Sequence, residues 1–219
     1  MRIKPSLIIL ILIFTIPLKA QELGSWNVID VRKNPDKKIN YQLEVQLRSL
    51  KFYSNFHYNE LNFTTNYRYD NNLVLSVLLG KHNTYTEGGD YLKPLITDEF
   101  RQSIQAATTQ KFGPFVLDNR YRLEQRYFFT TERFNYRMRY RFGLQTNITK
   151  NVKAQFSNEF FLAIGGTNST FEKNRFLIGI RNMISKKYEL QINYLNQIDN
   201  RKNDESGSNF LQVVQIINF

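Results

Sequence analysis

The sequence predicts an all-β protein, a transmembrane antiparallel up-and-down β-barrel of 10 to 12 strands, preceded by a cleaved export signal. Three observations carry that prediction. Apolar and polar residues alternate with a period of two along most of the chain. The apolar parity of the clearest segments is free of charge. Short polar turns alternate with longer connections.

The export signal comes first. Arg2 and Lys4 precede an apolar run from Leu7 to Pro17, and the segment closes on Leu18-Lys19-Ala20 before Gln21. A basic start, an apolar stretch of about ten residues and a small residue at the cut are the marks of a secretory signal. The run is shorter than the roughly 20 residues a spanning helix needs. Gln21 stands where a lipoprotein would carry Cys. The predicted division is therefore 1–20 signal peptide and 21–219 barrel.

The whole chain has 219 residues and 30 Lys+Arg against 19 Asp+Glu, a formal charge of +11. Without Arg2, Lys4 and Lys19 the remainder holds 27 basic and 19 acidic residues, or +8. Such a charge suits nucleic acid or an anionic membrane surface, but export excludes an intracellular nucleic-acid role. No cysteine is present, so disulfides, thiolate metal sites and a Cys nucleophile are excluded. Thirteen Tyr and 18 Phe accompany a mean hydropathy of −0.46, the combination that alternating polar and aromatic residues produce.

The strands follow in order. The segment 25–33 is weakly patterned. Tyr41, Leu43, Val45 and Leu47 oppose Gln42, Glu44, Gln46 and Arg48; Leu61, Phe63, Thr65, Tyr67 and Tyr69 oppose Glu60, Asn62, Thr64, Asn66 and Arg68. Strands are read near 72–82 and 98–110. Leu117, Tyr121, Leu123 and Tyr127 then oppose Asp118, Arg120, Arg122, Glu124 and Arg126, with Asn119 and Gln125 as exceptions on the apolar side. The clearest segment is 134–144, where Phe134, Tyr136, Met138, Tyr140, Phe142 and Leu144 alternate with Asn135, Arg137, Arg139, Arg141 and Gly143. Successive strand side chains point to opposite faces, so it has one wholly apolar and one strongly cationic face. Val152, Ala154, Phe156 and Phe160 oppose Lys153, Gln155, Ser157 and Glu159, and Tyr188, Leu190, Ile192 and Tyr194 oppose Glu189, Gln191 and Asn193. Segments near 174–184 and 209–219 complete the series. A soluble antiparallel sheet also alternates. Lipid adds a stricter rule, because Arg or Lys facing the midplane costs about 2–4 kcal/mol.

Tight turns are expected at 34–37, 70–72, 111–113, 149–151 and 185–187, and longer links at 50–58, 82–97, 164–173 and 198–208, with a short link at 129–133 in register with the longer set. Eleven segments result, whereas single-chain bacterial barrels have even numbers of strands. The preferred resolution is ten spanning strands with 22–33 as a plug or partial edge strand; the alternative is a twelfth strand inside 82–97. The chain ends on a strand at Phe219, with Ile217 on the same face, an ending suited to recognition by barrel-assembly machinery.

The run Asp118 to Phe128, the Tyr136 to Arg141 segment, Asn158-Glu159-Phe160, Asn174-Arg175 and Tyr194 to Gln197 resemble the family of domain of unknown function 2490, as do Gly24-Ser25-Trp26 and the final Phe219. The resemblance covers most of the chain after the signal. It implies a small outer-membrane barrel of Gram-negative bacteria, without an established activity or catalytic residues.

Taking the polar parity as the lumen makes Glu44, Arg48, Glu60, Arg68, Arg120, Arg122, Glu124, Arg126, Arg137, Arg139, Arg141, Glu159, Arg175 and Arg181 the candidate site, with Asp118, Lys153 and Glu189 beside them. Arg120 to Arg126 and Arg137 to Arg141 belong to hairpin neighbours, so like charges face each other unless counter-charges intervene. One reading is an Arg/Glu network filling a narrow lumen. A second is a cationic constriction for small anions. A third is a lipid-modifying hydrolase using His57 or His82 with Ser54, Glu60 or Glu87, which requires a nucleophile within hydrogen-bond reach of its base. No metal-ligand spacing, phosphate loop or cofactor motif occurs. Expected partners are outer-membrane lipids and lipopolysaccharide, whose phosphates Lys81, Lys93, Lys173, Arg201 and Lys202 could meet in outside loops.

Overall fold

The computed structural model describes residues 22–86, 91, 95–165, 170–199 and 207–219. The predicted signal segment 1–20 lies outside them. The described chain is all strand and turn: β1 (Leu23–Lys33), β2 (Ile39–Lys51), β3 (Ser54–Arg68), β4 (Leu73–Tyr85), β5 (Leu95–Phe112), β6 (Phe115–Phe128), β7 (Arg133–Asn147), β8 (Val152–Ile164), β9 (Thr170–Met183), β10 (Tyr188–Asp199) and β11 (Ser208–Asn218). Each strand pairs with its chain neighbours, and β1 closes the barrel against β11.

That closure corrects the expectation for residues 22–33. They form a full wall strand, paired antiparallel with β2 and parallel with β11 from Leu23↔Asn209 to Arg32↔Asn218. The physical reason is geometric: strands that reverse at every turn leave one parallel junction when their number is odd. The even-number rule thus fails here by one seam. Of the link considered for a twelfth strand, residues 87–90 and 92–94 lie outside the described set. The C-terminus locks the seam, since Phe219 donates its backbone N–H to the Arg32 carbonyl at 2.9 Å and accepts from Asn34 N–H at 3.0 Å.

The tight turns have local causes. The Asp70 carboxylate accepts from the N–H groups of Asn72 (2.7 Å) and Leu73 (2.8 Å), and the hydroxyls of Thr149 and Ser185 do the same for the residues two and three further on. These side chains mimic a backbone turn. Gly113, at φ +56°, makes the two-residue connection between β5 and β6 without a Cβ penalty. The link expected at 50–58 is much shorter than predicted. β2 and β3 run on until Lys51 pairs with Ser54, leaving a turn at Phe52-Tyr53 and a register shift between Arg48 and Ser49.

Outside, the barrel presents Leu, Ile, Val and ring side chains. Val77, Ile104 and Ile178 are each more than half exposed. Cross-strand ring pairs brace this surface: Tyr121 with Tyr140 (5.0 Å), Tyr127 with Phe134 (4.8 Å) and Phe156 with Phe176 (5.2 Å). Apart from the mutually hydrogen-bonded Ser25 and Ser49, the buried side chains are instead on the inner face, and most are polar or charged.

Candidate functional site

The inner face encloses a cavity of about 1280 Å³ lined by residues of all eleven strands. Twelve Arg or Lys side chains and nine Asp or Glu side chains line it, an excess of positive charge. The lumen divides into two regions along its axis.

Toward the longer connections, side chains interlock in a belt. Arg139 bridges two carboxylates, donating to Glu124 at 2.8 Å and to Glu159 at 3.0 Å through both Nε and Nη2. Glu124 also accepts from Arg137 Nε at 2.7 Å, and Glu159 from Arg120 at 2.6 Å. Glu99 holds Arg126 at 2.6 and 3.0 Å and also pairs with Arg101. On β3, Glu60 accepts from Arg48 (3.0 Å) and from the Tyr58 hydroxyl (2.6 Å), which lies 2.7 Å from His82 Nδ1. Arg101 is within Coulombic reach of Glu124 on one side and of His82 and Arg48 on the other. The circuit closes through aromatic faces. Arg48 lies 3.5 Å over the Trp26 ring; Arg175 lies 4.8 Å from both Trp26 and Phe161; Arg139 lies 4.5 Å over Phe161. At the seam, Trp26, Val28, Leu195 and Phe210 form an apolar cluster inside the barrel.

Toward the tight turns the lumen is looser and rich in amides. Arg181 pairs with Glu189 at 2.9 Å and donates to Gln145. Arg141 donates to Asp118 at 2.7 Å, and the Asp118 carboxylate occupies the space a Cβ on Gly143 would fill. Arg122 donates both Nε and Nη2 to the neutral Gln105 at 3.0 and 2.7 Å. Glu44 accepts from Gln46 (2.6 Å) and Asn62 (3.1 Å), and Asp30 pairs with Arg32 at 2.6 Å.

Of the candidate residues, the fold gathers Arg48 with Glu60, and Glu124, Arg137, Arg139, Glu159 and Arg120 into one network. Arg68 stays apart, donating to the Pro35 and Asp36 carbonyls of the first turn. His82 joins Glu60 at 3.3 Å, deep in the wall rather than in a loop. Among the described residues its hydrogen-bonding partners are Tyr58 and Glu60, with no Ser or Thr hydroxyl. His57 Nδ1 is buried and unbonded, Ser54 sits in the Phe52-Tyr53 hairpin, and Glu87 lies outside the described residues. Sequence reasoning missed Glu99 and Arg101 on β5, Asp30 on β1, Glu172, which links Arg126 and Arg137 at 3.4 and 3.2 Å, and the inward rings of Trp26, Tyr58, Phe161 and Phe210. The parity of 99 and 101 was a usable signal, obscured by the neighbouring Asp98, which pairs with Lys81 beside the Phe129 ring.

Six solved chains match this architecture. One is a NanC porin in a rhombohedral crystal form, with a TM-score of 0.54 over 85% of this chain and 92% of that one at 9% sequence identity, a likeness of fold. No curated protein matches the sequence. A family profile described as "Protein of unknown function (DUF2490)" matches residues 23–208, which include every strand from β1 to β10, and the chain belongs to that family.

Proposed function

We propose that this chain is an outer-membrane β-barrel, exported by its first twenty residues, whose narrow lumen is filled by ion-paired side chains and is not an open channel. The observation that carries this reading is the belt. Side chains from all eleven strands meet in it, and apart from Arg101, Arg120, Arg126 and Arg175 they are less than a tenth exposed. Location follows from solvent physics: hydrocarbon tolerates a closed barrel because no backbone group is left unpaired, and it favours the apolar outer face. The tight turns and Phe219 then face the periplasm, where the last strand meets the assembly machinery, and lipids cover the Leu/Ile/Phe band. Lipopolysaccharide phosphates would have to compete for Lys81 and Lys173, which pair with Asp98 and Asp199; Lys93, Arg201 and Lys202 lie outside the described residues.

A planar-bilayer measurement tests the filled lumen. The expected result is a conductance at least about ten-fold below that of a 16-stranded porin, whose lumen is an aqueous channel; a porin-sized conductance refutes it. The excess of cations in the lining favours a second reading, a passage for small anions. Anion selectivity that disappears in Arg139→Glu supports that passage, and an unselective or absent current removes it.

A further inference from the structure

The turn-side half of the lumen is electrically divided. On one wall Asp30 and Glu44 are direct cross-strand partners. On the facing wall, where it borders the belt, Arg120 opposes Arg141 and Arg122 opposes Arg139; Glu159 holds Arg120 and Arg139, and Asp118 holds Arg141. Like charges placed directly opposite one another are unfavourable unless counter-charges come between them. The pairing inside each wall is incomplete. Glu44 accepts only from amides, and its Coulombic neighbours include Asp30 and Glu60. Asp30 is 3% exposed, and its Oδ1 finds no donor. Across the lumen, Arg122 takes a neutral Gln105 oxygen as its hydrogen-bond partner and has its nearest carboxylate, Glu124, at 3.6 Å; the Nε atoms of Arg120 and Arg141 have no acceptor. Glu44 and Arg122 lie within each other's Coulombic reach without forming an ion pair, and both line the cavity.

We propose that this half of the lumen is a binding site for a small zwitterion of amino-acid type, its ammonium group held by Glu44 and Asp30 and its carboxylate by Arg122 and Arg120. A simple anion would answer the Arg wall and leave Glu44 without a cation, since Arg32 already holds only Asp30. A simple cation would do the reverse. A solute carrying both charges supplies each wall with its missing partner and aligns along the field between them. The inference rests on the filled-barrel reading, under which the belt would close one end and make this half a dead-ended pocket instead of a conduit.

The protein carries its own reporter. Trp26 is the single tryptophan of the chain; its indole N–H donates to Gln46 Oε1 at 2.8 Å, and Gln46 donates to Glu44 at 2.6 Å. Occupation of Glu44 therefore reaches the indole through one side chain. Full-length protein folded in detergent is titrated with glycine, γ-aminobutyrate, acetate and methylammonium, following Trp26 emission, with calorimetry on the same series as a second readout. Saturable binding of at least one amino acid is expected, with acetate and methylammonium each about ten-fold weaker, the difference one lost charge-assisted contact makes. Glu44→Gln and Arg122→Gln should each weaken the zwitterion by about the same factor while the barrel keeps its heat-modifiable gel mobility. Equal binding of acetate, indifferent to Glu44→Gln, would overturn the proposal in favour of an anion site. No saturation by either readout in a heat-modifiable barrel also overturns it and leaves the filled barrel standing. Loss of heat-modifiable mobility in the unsubstituted chain sinks the barrel reading itself.

Discussion

The two halves of the lumen use the same residue types to different ends. In the loop-side belt, Glu124 is 2% exposed, receives two guanidinium groups and has Arg101 nearby. In the turn-side half, Arg181 and Glu189 form a comparably short pair but keep 23% and 13% of their side-chain surface exposed. Burial separates the two. A dry ion pair is costly to break because the survivor is left charged without water, whereas a wet one exchanges its partner for solvent. The belt therefore behaves as a cross-brace of the barrel, and Arg181 with Glu189 as a pair that solvent can reach.

The sharpest way to break this contrast is at Glu124. Glu124→Gln leaves Arg137 and Arg139 short of the carboxylate they share, and the expected loss is about 3–5 kcal/mol of stability, the range for removing one member of a buried pair. Reversible urea unfolding in lipid vesicles measures it. A loss under about 1 kcal/mol, the range of solvent-exposed pairs, would mean that the belt is wetter than its burial indicates.

How much of this was legible in the sequence differs between the halves. Arg137, Arg139 and Arg141 announce their face because Phe134 to Leu144 alternates without exception. Parity assigns a face to each residue but not a neighbour. It could not say that Arg139 lies between Glu124 and Glu159, contacts set by the stagger across three strands. The aromatic half of the belt was hidden for another reason: a Phe or Trp usually marks the outer face of such a strand, while Phe161 and Trp26 point inward because guanidinium groups lie over their rings. The segment 25–33 looked weak for the same cause, since Trp26 and Val28 place apolar side chains on the lumen side while Leu23 and Ile29 are apolar on the outer side. Nor does a strand's sequence disclose its direction, so the parallel seam had no local signature.

Phe161 offers a middle test. Its ring is 1% exposed and supports Arg139, Arg175 and Arg137 at 4.5, 4.8 and 5.2 Å. Phe161→Leu keeps most of the volume and removes the π face, so a loss of about 1–2 kcal/mol is expected in the same unfolding assay, near the desolvated value for a cation–π contact. Bilayer conductance should rise with it if the ring helps to close the belt. Unchanged stability and conductance would reduce Phe161 to filler.

The smallest effect belongs to the turn side. Glu189→Gln removes the carboxylate that Arg181 holds at 2.9 and 3.0 Å, yet Arg181 keeps Gln145 and reaches water. The expected cost is under about 1 kcal/mol and should shrink further when salt is raised from about 0.1 to 1 M, because exposed pairs are screened. Glu124→Gln, measured in parallel, should hardly respond to salt. If the two variants lost equal stability with equal salt dependence, exposure would not be what separates the halves, and the open space beside Arg122 and Glu44 would be braced as firmly as the belt.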